Sequence, residues 1–213
     1  MEKPVLVKKS LTILVIILIA FNITLLINSL KYKKLLFQYK KDIASVIEAN
    51  EINKQILINR ELNTLRNIGM QINIKLKVED EEGNKISIAE LLNNNPKVIF
   101  RYSELNCRLC IEEEIKILLK YINDIGFDNI LFFSTYNSTR DLFLFKRINQ
   151  LQDFKIYNLK EEKLNIPIDS LNIPYVFLID SSGNIVMLNI PEKTKPEFSE
   201  QFYNVVISRL VLN

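Results

Sequence analysis

From Leu11 to Leu30 the chain reads LTILVIILIAFNITLLINSL, twenty residues without a charge. No other stretch restricts the fold as strongly. A helix of that length rises about 30 Å, the thickness of a bilayer's hydrocarbon layer. Asn22, Thr24 and Asn28 dilute the run, but uncharged polar groups near the end of a span are tolerated. A buried core helix and a cleaved signal peptide are the rival readings. The run is longer than a usual signal h-region and no A-x-A-like site follows it, so an uncleaved signal anchor over residues 11–30 is expected, behind a short cytoplasmic segment, residues 1–10. Lys3, Lys8 and Lys9 precede the span and Lys31, Lys33, Lys34, Lys40 and Lys41 follow it. That distribution mildly opposes export of the C-terminal part, although long domains cross largely regardless of flanking charge.

Residues 31–69 contain no proline, and no glycine before Gly69. Leu36, Tyr39, Ile43 and Val46 follow a short heptad-like spacing until Asn50 and Asn53 interrupt it. The segment reads as a helical stalk, either a solvated linker or a surface for homodimerisation.

Beyond Gly69 the pattern becomes that of a folded domain, residues 70–213. Ile72, Ile74 and Leu76 alternate with polar residues, which predicts a strand, and Glu81-Glu82-Gly83-Asn84 predicts a turn. Val98-Ile99-Phe100 predicts a strand buried on both faces. Ile111, Ile115, Leu118, Leu119 and Ile122 trace one face of a helix, with Glu112, Glu113 and Glu114 in its first turns. Further strands are expected over Asn129–Ser134, Phe154–Leu159, Tyr175–Ile179 and Ile185–Ile190. Helices are expected after Ser138 and from Pro196. The order predicts an α/β domain with a central mixed sheet, largely parallel with an added hairpin, flanked by helices.

The chemistry is confined by what the chain lacks. It has no histidine, hence no histidine base, triad or metal ligand, and only two cysteines, Cys107 and Cys110. A net charge of +3, with its cations dispersed, does not point to nucleic acid. Zinc wants four ligands, so this pair would need a second subunit to complete a site. Two sulfurs three residues apart, where an apolar strand meets a helix, suit thiol–disulfide exchange. Backbone N–H groups at a helix N-terminus stabilise a thiolate on Cys107, and Cys110, one turn on, can reach it. Arg108 adds positive charge beside Cys107, while Glu104 and the three glutamates oppose it. An inert structural disulfide is the alternative, disfavoured because so short a loop restrains little unfolded-chain entropy.

The turn Glu82-Gly83-Asn84-Lys85 ahead of Ala89-Glu90-Leu91, the strand to Tyr102, the cysteine pair opening a helix, and the run Ile173-Pro174-Tyr175-Val176-Phe177-Leu178-Ile179-Asp180-Ser181-Ser182-Gly183-Asn184 together carry a resemblance. From about Met70 to Leu210 the chain resembles the thioredoxin-like redoxins of the TlpA/ResA type, membrane-tethered proteins facing the periplasm or cell exterior. The resemblance implies a thioredoxin-like fold and catalytic Cys107 and Cys110. It also implies a cis Pro174 packed against the pair and a backbone at Ile173 that pairs with the substrate chain. Protein disulfides or dithiols and a membrane or periplasmic redox partner would be the reactants, with no cofactor or metal. The family usually has Trp where Asn106 stands and Pro where Leu109 stands, which leaves the direction of electron flow open. A peroxiredoxin-like peroxidase is a further alternative, but it would want Pro and Thr upstream of the reactive cysteine, where Ser103-Glu104-Leu105-Asn106 stands.

Overall fold

The computed structural model describes residues 3–160 and 162–211; residues 1–2 and 212–213, at the ends of the first and last expected segments, lie outside it. The chain divides into two compact units, Met1–Leu57 and Ile58–Asn213. Helix α1 (Lys3–Asn67) supplies the described structure of the first unit and the opening turns of the second.

In the first unit the expected span is helical and long and apolar enough to cross a membrane. Its large apolar side chains from Ile13 to Leu30 are all exposed, unlike those of a helix in a domain core. Two of its polar side chains are folded back on their own helix: the Asn22 amide donates to the Leu18 carbonyl and the Thr24 hydroxyl to that of Ala20, each at 2.8 Å. Bonds of this kind let a polar residue sit in a bilayer without an orphaned donor. The heptad-like residues Leu36, Tyr39, Ile43 and Val46 are likewise exposed.

The second unit is built on a seven-stranded sheet. Its strands are β1 (Lys77–Glu79), β2 (Lys85–Ser87), β3 (Lys97–Ser103), β4 (Ile130–Thr135), β5 (Ile156–Asn158), β6 (Tyr175–Ile179) and β7 (Ile185–Asn189), in the spatial order β2-β1-β5-β4-β3-β6-β7. The sheet is mixed, as expected, but less parallel than its sequence suggested. Only β3–β4 and β4–β5 pair in parallel, whereas β6 runs antiparallel against β3 and carries the β7 hairpin outward. A strand's own pattern does not encode direction; the length and course of the preceding crossover does.

Every residue of β3 is buried. Successive side chains of a strand point to opposite faces, so Val98, Phe100 and Tyr102 join one core and Ile99 the other. Helices α3 (Arg108–Ile125), α4 (Thr139–Ile148) and α5 (Pro196–Val211) cover the first face. The short helix α2 (Ile88–Leu92) and a 3₁₀ turn, Pro167–Leu171, cover the second.

The strand expected over Ile72, Ile74 and Leu76 does not form; an isolated bridge, Gln71 to Asn184, and backbone bonds of Gly69 and Met70 with Ile185 join the segment ahead of it to the sheet. Asn73 diverts the chain, its side-chain oxygen accepting from Lys75 N (3.2 Å) and its carbonyl from Leu76 N (3.0 Å). Such local bonds offer the backbone an alternative to a ladder. Ile72 and Leu76 are nonetheless buried. Ile74 closes over Gly183, where φ is +83° and a Cβ would collide with the isoleucine side chain. That hairpin therefore requires glycine on two counts.

Candidate functional site

The cysteine pair lies where the segment after β3 enters α3, and hydrogen bonds tie the loop before β6 to the residue ahead of the pair. Cys107 and Cys110 are joined in a disulfide, with Cα atoms 5.3 Å apart. Cys107 is exposed and Cys110 half-buried. Cys107 is also the N-cap of α3: its Sγ accepts from the Cys110 backbone N–H at 3.3 Å. The first turn of a helix presents N–H groups that no carbonyl of the helix can satisfy, and the Cys107 sulfur occupies the place where an N-cap oxygen would stand.

The glutamates lie further from the dipole than the sequence suggested. Because α3 starts at Arg108, its first turn holds no acid. Glu112 pairs with Arg108 (Nε to Oε1, 2.6 Å), so the cation expected to assist Cys107 already has a partner. Glu104 is exposed and accepts from the Asn137 amide at 2.6 Å.

Asn106, standing where the resembled family has Trp, proves to be the clasp of the site. Its Oδ1 accepts from Ser103 N (2.8 Å), and its Nδ2 donates to the carbonyl of Asn172 (2.8 Å) and to that residue's Oδ1 (3.2 Å). The Ser103 hydroxyl also bonds the Asn172 Oδ1, at 3.3 Å. Asn172 holds a left-handed backbone (φ 51°, ψ 46°), which asparagine tolerates better than most residues. The residue before Cys107 is thus fastened to the residue before Ile173-Pro174. Pro174 is buried and Ile173 half-buried.

One implication of the resemblance is overturned. Among the described residues no peptide bond is cis, so Ile173–Pro174 is trans. The chain enters that bond from left-handed Asn172, held on Asn106.

Two buried polar clusters support this junction. On one face Arg101, interior to β3, donates to the Tyr102 carbonyl (2.6 Å) and the Thr135 hydroxyl (2.9 Å) and pairs with Asp169 at 3.2 Å. Asp169 also accepts from the Tyr175 hydroxyl (3.0 Å) and from Leu164 N (2.9 Å), which fixes the turn leading into Asn172. On the other face Glu114 is 1% exposed and accepts from Ser199 Oγ (2.5 Å) and Tyr203 Oη (2.6 Å). Burial pushes its carboxyl above the usual carboxylate range, against those two hydrogen bonds and the charge of Arg60. Both clusters left a mark in the sequence: a cation inside an apolar strand, and an acid in register with Ile111, Ile115 and Leu118 on the apolar stripe of a helix.

No family model and no curated protein matches the chain. Solved structures do. A thiol:disulfide interchange protein from Bacteroides sp. superposes with a TM-score of 0.51 at 18% identity, covering 67% of this chain and 88% of that one. A cysteine-to-serine mutant of Xanthomonas campestris peroxiredoxin Q gives 0.52 at 12% identity, covering 68% and 99%. The chain has a thioredoxin-like fold. At such identities the likeness extends to architecture and not to activity, since one scaffold hosts many functions.

Proposed function

We propose that this chain is a membrane-tethered thiol–disulfide oxidoreductase of the TlpA/ResA type, exchanging disulfides with protein partners through Cys107 and Cys110. The observation that carries the reading is the position of Cys107: an exposed sulfur that caps a helix and is bonded to a neighbour one turn away. In the reducing direction the Cys107 thiolate attacks a client disulfide, forming a mixed disulfide and releasing one client thiol. The Cys110 thiolate then attacks Cys107, expels the second client thiol and leaves the intramolecular disulfide. A membrane or periplasmic dithiol restores the pair, and the oxidising cycle is the reverse.

The helix N-terminus supports the attacking thiolate, with Arg108 and Glu104 setting the charge around it. The backbone at Ile173, beside Pro174, is the proposed pairing strand for the client. Residues 11–30 anchor the chain in the bacterial cytoplasmic membrane with the redox domain on the periplasmic or outer side, and the stalk is a surface for homodimerisation.

The test is a Cys110→Ser variant. Without its resolving partner, Cys107 should retain clients as mixed disulfides that dithiothreitol releases, identifiable after non-reducing electrophoresis. A redox titration of the unsubstituted chain should place the pair within the range spanned by glutathione and dithiothreitol. A bond reduced only on unfolding, together with an empty trap, would establish a structural disulfide. Turnover of peroxide faster than of protein disulfides would establish a peroxidase instead.

A further inference from the structure

A groove of about 300 Å³ opens between the segment that leads into α3, the start of that helix, and helix α4. Asn106 and Arg108, which flank Cys107 in the chain, both line it, so an occupant lies against both chain neighbours of the proposed attacking residue. Its floor is apolar, formed by Ile111, Tyr136 and Phe145, all buried. Its lip is formed by Leu144 and Ile148, one helical turn apart on α4 and exposed at 42% and 58%. Exposed apolar side chains around a concavity mark a binding surface more than scattered ones do.

Among the described residues, the groove's charges that stand outside ion pairs are both negative. Glu104 and Asp141 both line it. Among the described residues neither is in a salt bridge, and Glu104 takes a hydrogen bond only from the neutral Asn137 amide. The one cation in the lining, Arg108, is already paired with Glu112. The field of the two carboxylates reaches the floor: burial raises the Tyr136 hydroxyl far above its ordinary pKa, Glu104 and Asp141 add to the rise, and Arg108 opposes it.

We infer that this groove is a client-specificity site, seating an apolar side chain beside the client's cysteine and a lysine or arginine against Glu104 and Asp141. The inference rests on the thiol–disulfide reading and deepens it: clients are selected for a cysteine flanked by apolar and basic residues. The occupant is a segment of client polypeptide because both chain neighbours of Cys107 line the groove, so a chain bonded to that sulfur passes close to it.

The experiment uses the full chain in detergent micelles, reduced with dithiothreitol and desalted. Three synthetic peptides carry cysteine as its mixed disulfide with thionitrobenzoate. One has Leu and Lys beside the cysteine, one Leu and Glu, one Ser and Lys. Each protein dithiol consumes one peptide disulfide, yielding protein disulfide, peptide thiol and the coloured thiol that is read. The Leu/Lys peptide should react about tenfold faster than Leu/Glu at low salt, and the ratio should shrink as salt screens the rim. Asp141→Asn should reduce that ratio to about threefold or less, and Ile148→Ser should reduce the preference for Leu over Ser. Each ratio is internal to one variant, so a general loss of activity cancels. Ratios within about twofold, with 5,5′-dithiobis(2-nitrobenzoate) still oxidising the pair, would overturn the groove and leave the oxidoreductase standing. Failure of that reagent as well would overturn both.

Discussion

Arg101–Asp169 and Glu114 bury carboxyl groups on opposite faces of one sheet, by opposite means. Asp169 is held by a guanidinium, a phenol and a backbone amide, so three elements depend on its remaining an acceptor. Among the described residues no cation touches Glu114; two hydroxyls hold it, and Ser199 Oγ in turn accepts from Asn189 Nδ2 (2.9 Å), whose Oδ1 accepts from Arg60 (2.7 Å). The first cluster fixes the turn before Ile173-Pro174, the second the face of α3 two turns below Cys107. The contrast teaches that a buried acid is dependable as a charge only where a cation meets it; hydroxyls can hold its neutral form as well.

The largest effect should come from breaking the ion pair. Asp169→Ala leaves Arg101 buried without its counter-charge, which costs about 3–5 kcal/mol, read as a lowered midpoint in denaturant. Asn172 would lose its support in the same variant, so trapping on Cys107 should also weaken. Tyr203→Phe removes one of the two donors to Glu114 and should cost about 1–3 kcal/mol, the penalty for a buried acceptor left unmade. The smallest effect at neutral pH is expected from Glu114→Gln, which keeps the side-chain volume and an acceptor oxygen.

The pH dependence sharpens the same contrast. Glu114 holds its proton more tightly in the folded chain than in the unfolded one. Its contribution is therefore complete below the unfolded carboxyl pKa and is lost as pH rises through the higher folded value. The unsubstituted chain should lose stability across that interval, and Glu114→Gln should flatten the loss. Equal slopes in denaturant melts over that pH range would show that Glu114 does not titrate as its burial requires.

Much of this architecture was legible from local pattern. Val98-Ile99-Phe100, the stripe from Ile111 to Ile122 and the Ser138 cap each specify their element through short-range chemistry, and each formed as read; Ser138 Oγ accepts from Asp141 N at 3.4 Å. What eluded the sequence depends on distant partners. The alternation at Ile72, Ile74 and Leu76 gave the right buried side but not the backbone, which Asn73 turns away. The 3₁₀ turn at Pro167–Leu171 was missed, although Pro167 at its first position was the available signal. At the site, both cysteines and the Ile173-Pro174 loop could be named from spacing and resemblance. The bonds from Asn106 to Asn172 could not, since the two lie 66 residues apart and neither has a pattern that announces the other.

In the proposed reaction Cys107 is at once the attacking residue and the cap of its own helix, so each exchange would also alter how α3 begins. The chain ahead of it is fastened on Asn172, so the adjustment can travel only forward, into residues 108–111. Oxidised and reduced molecules should then differ by a single loosened turn, with amide signals moving there and on the groove wall while the sheet stays silent. A client leaving the groove would be released by the same small event that resolves its bond.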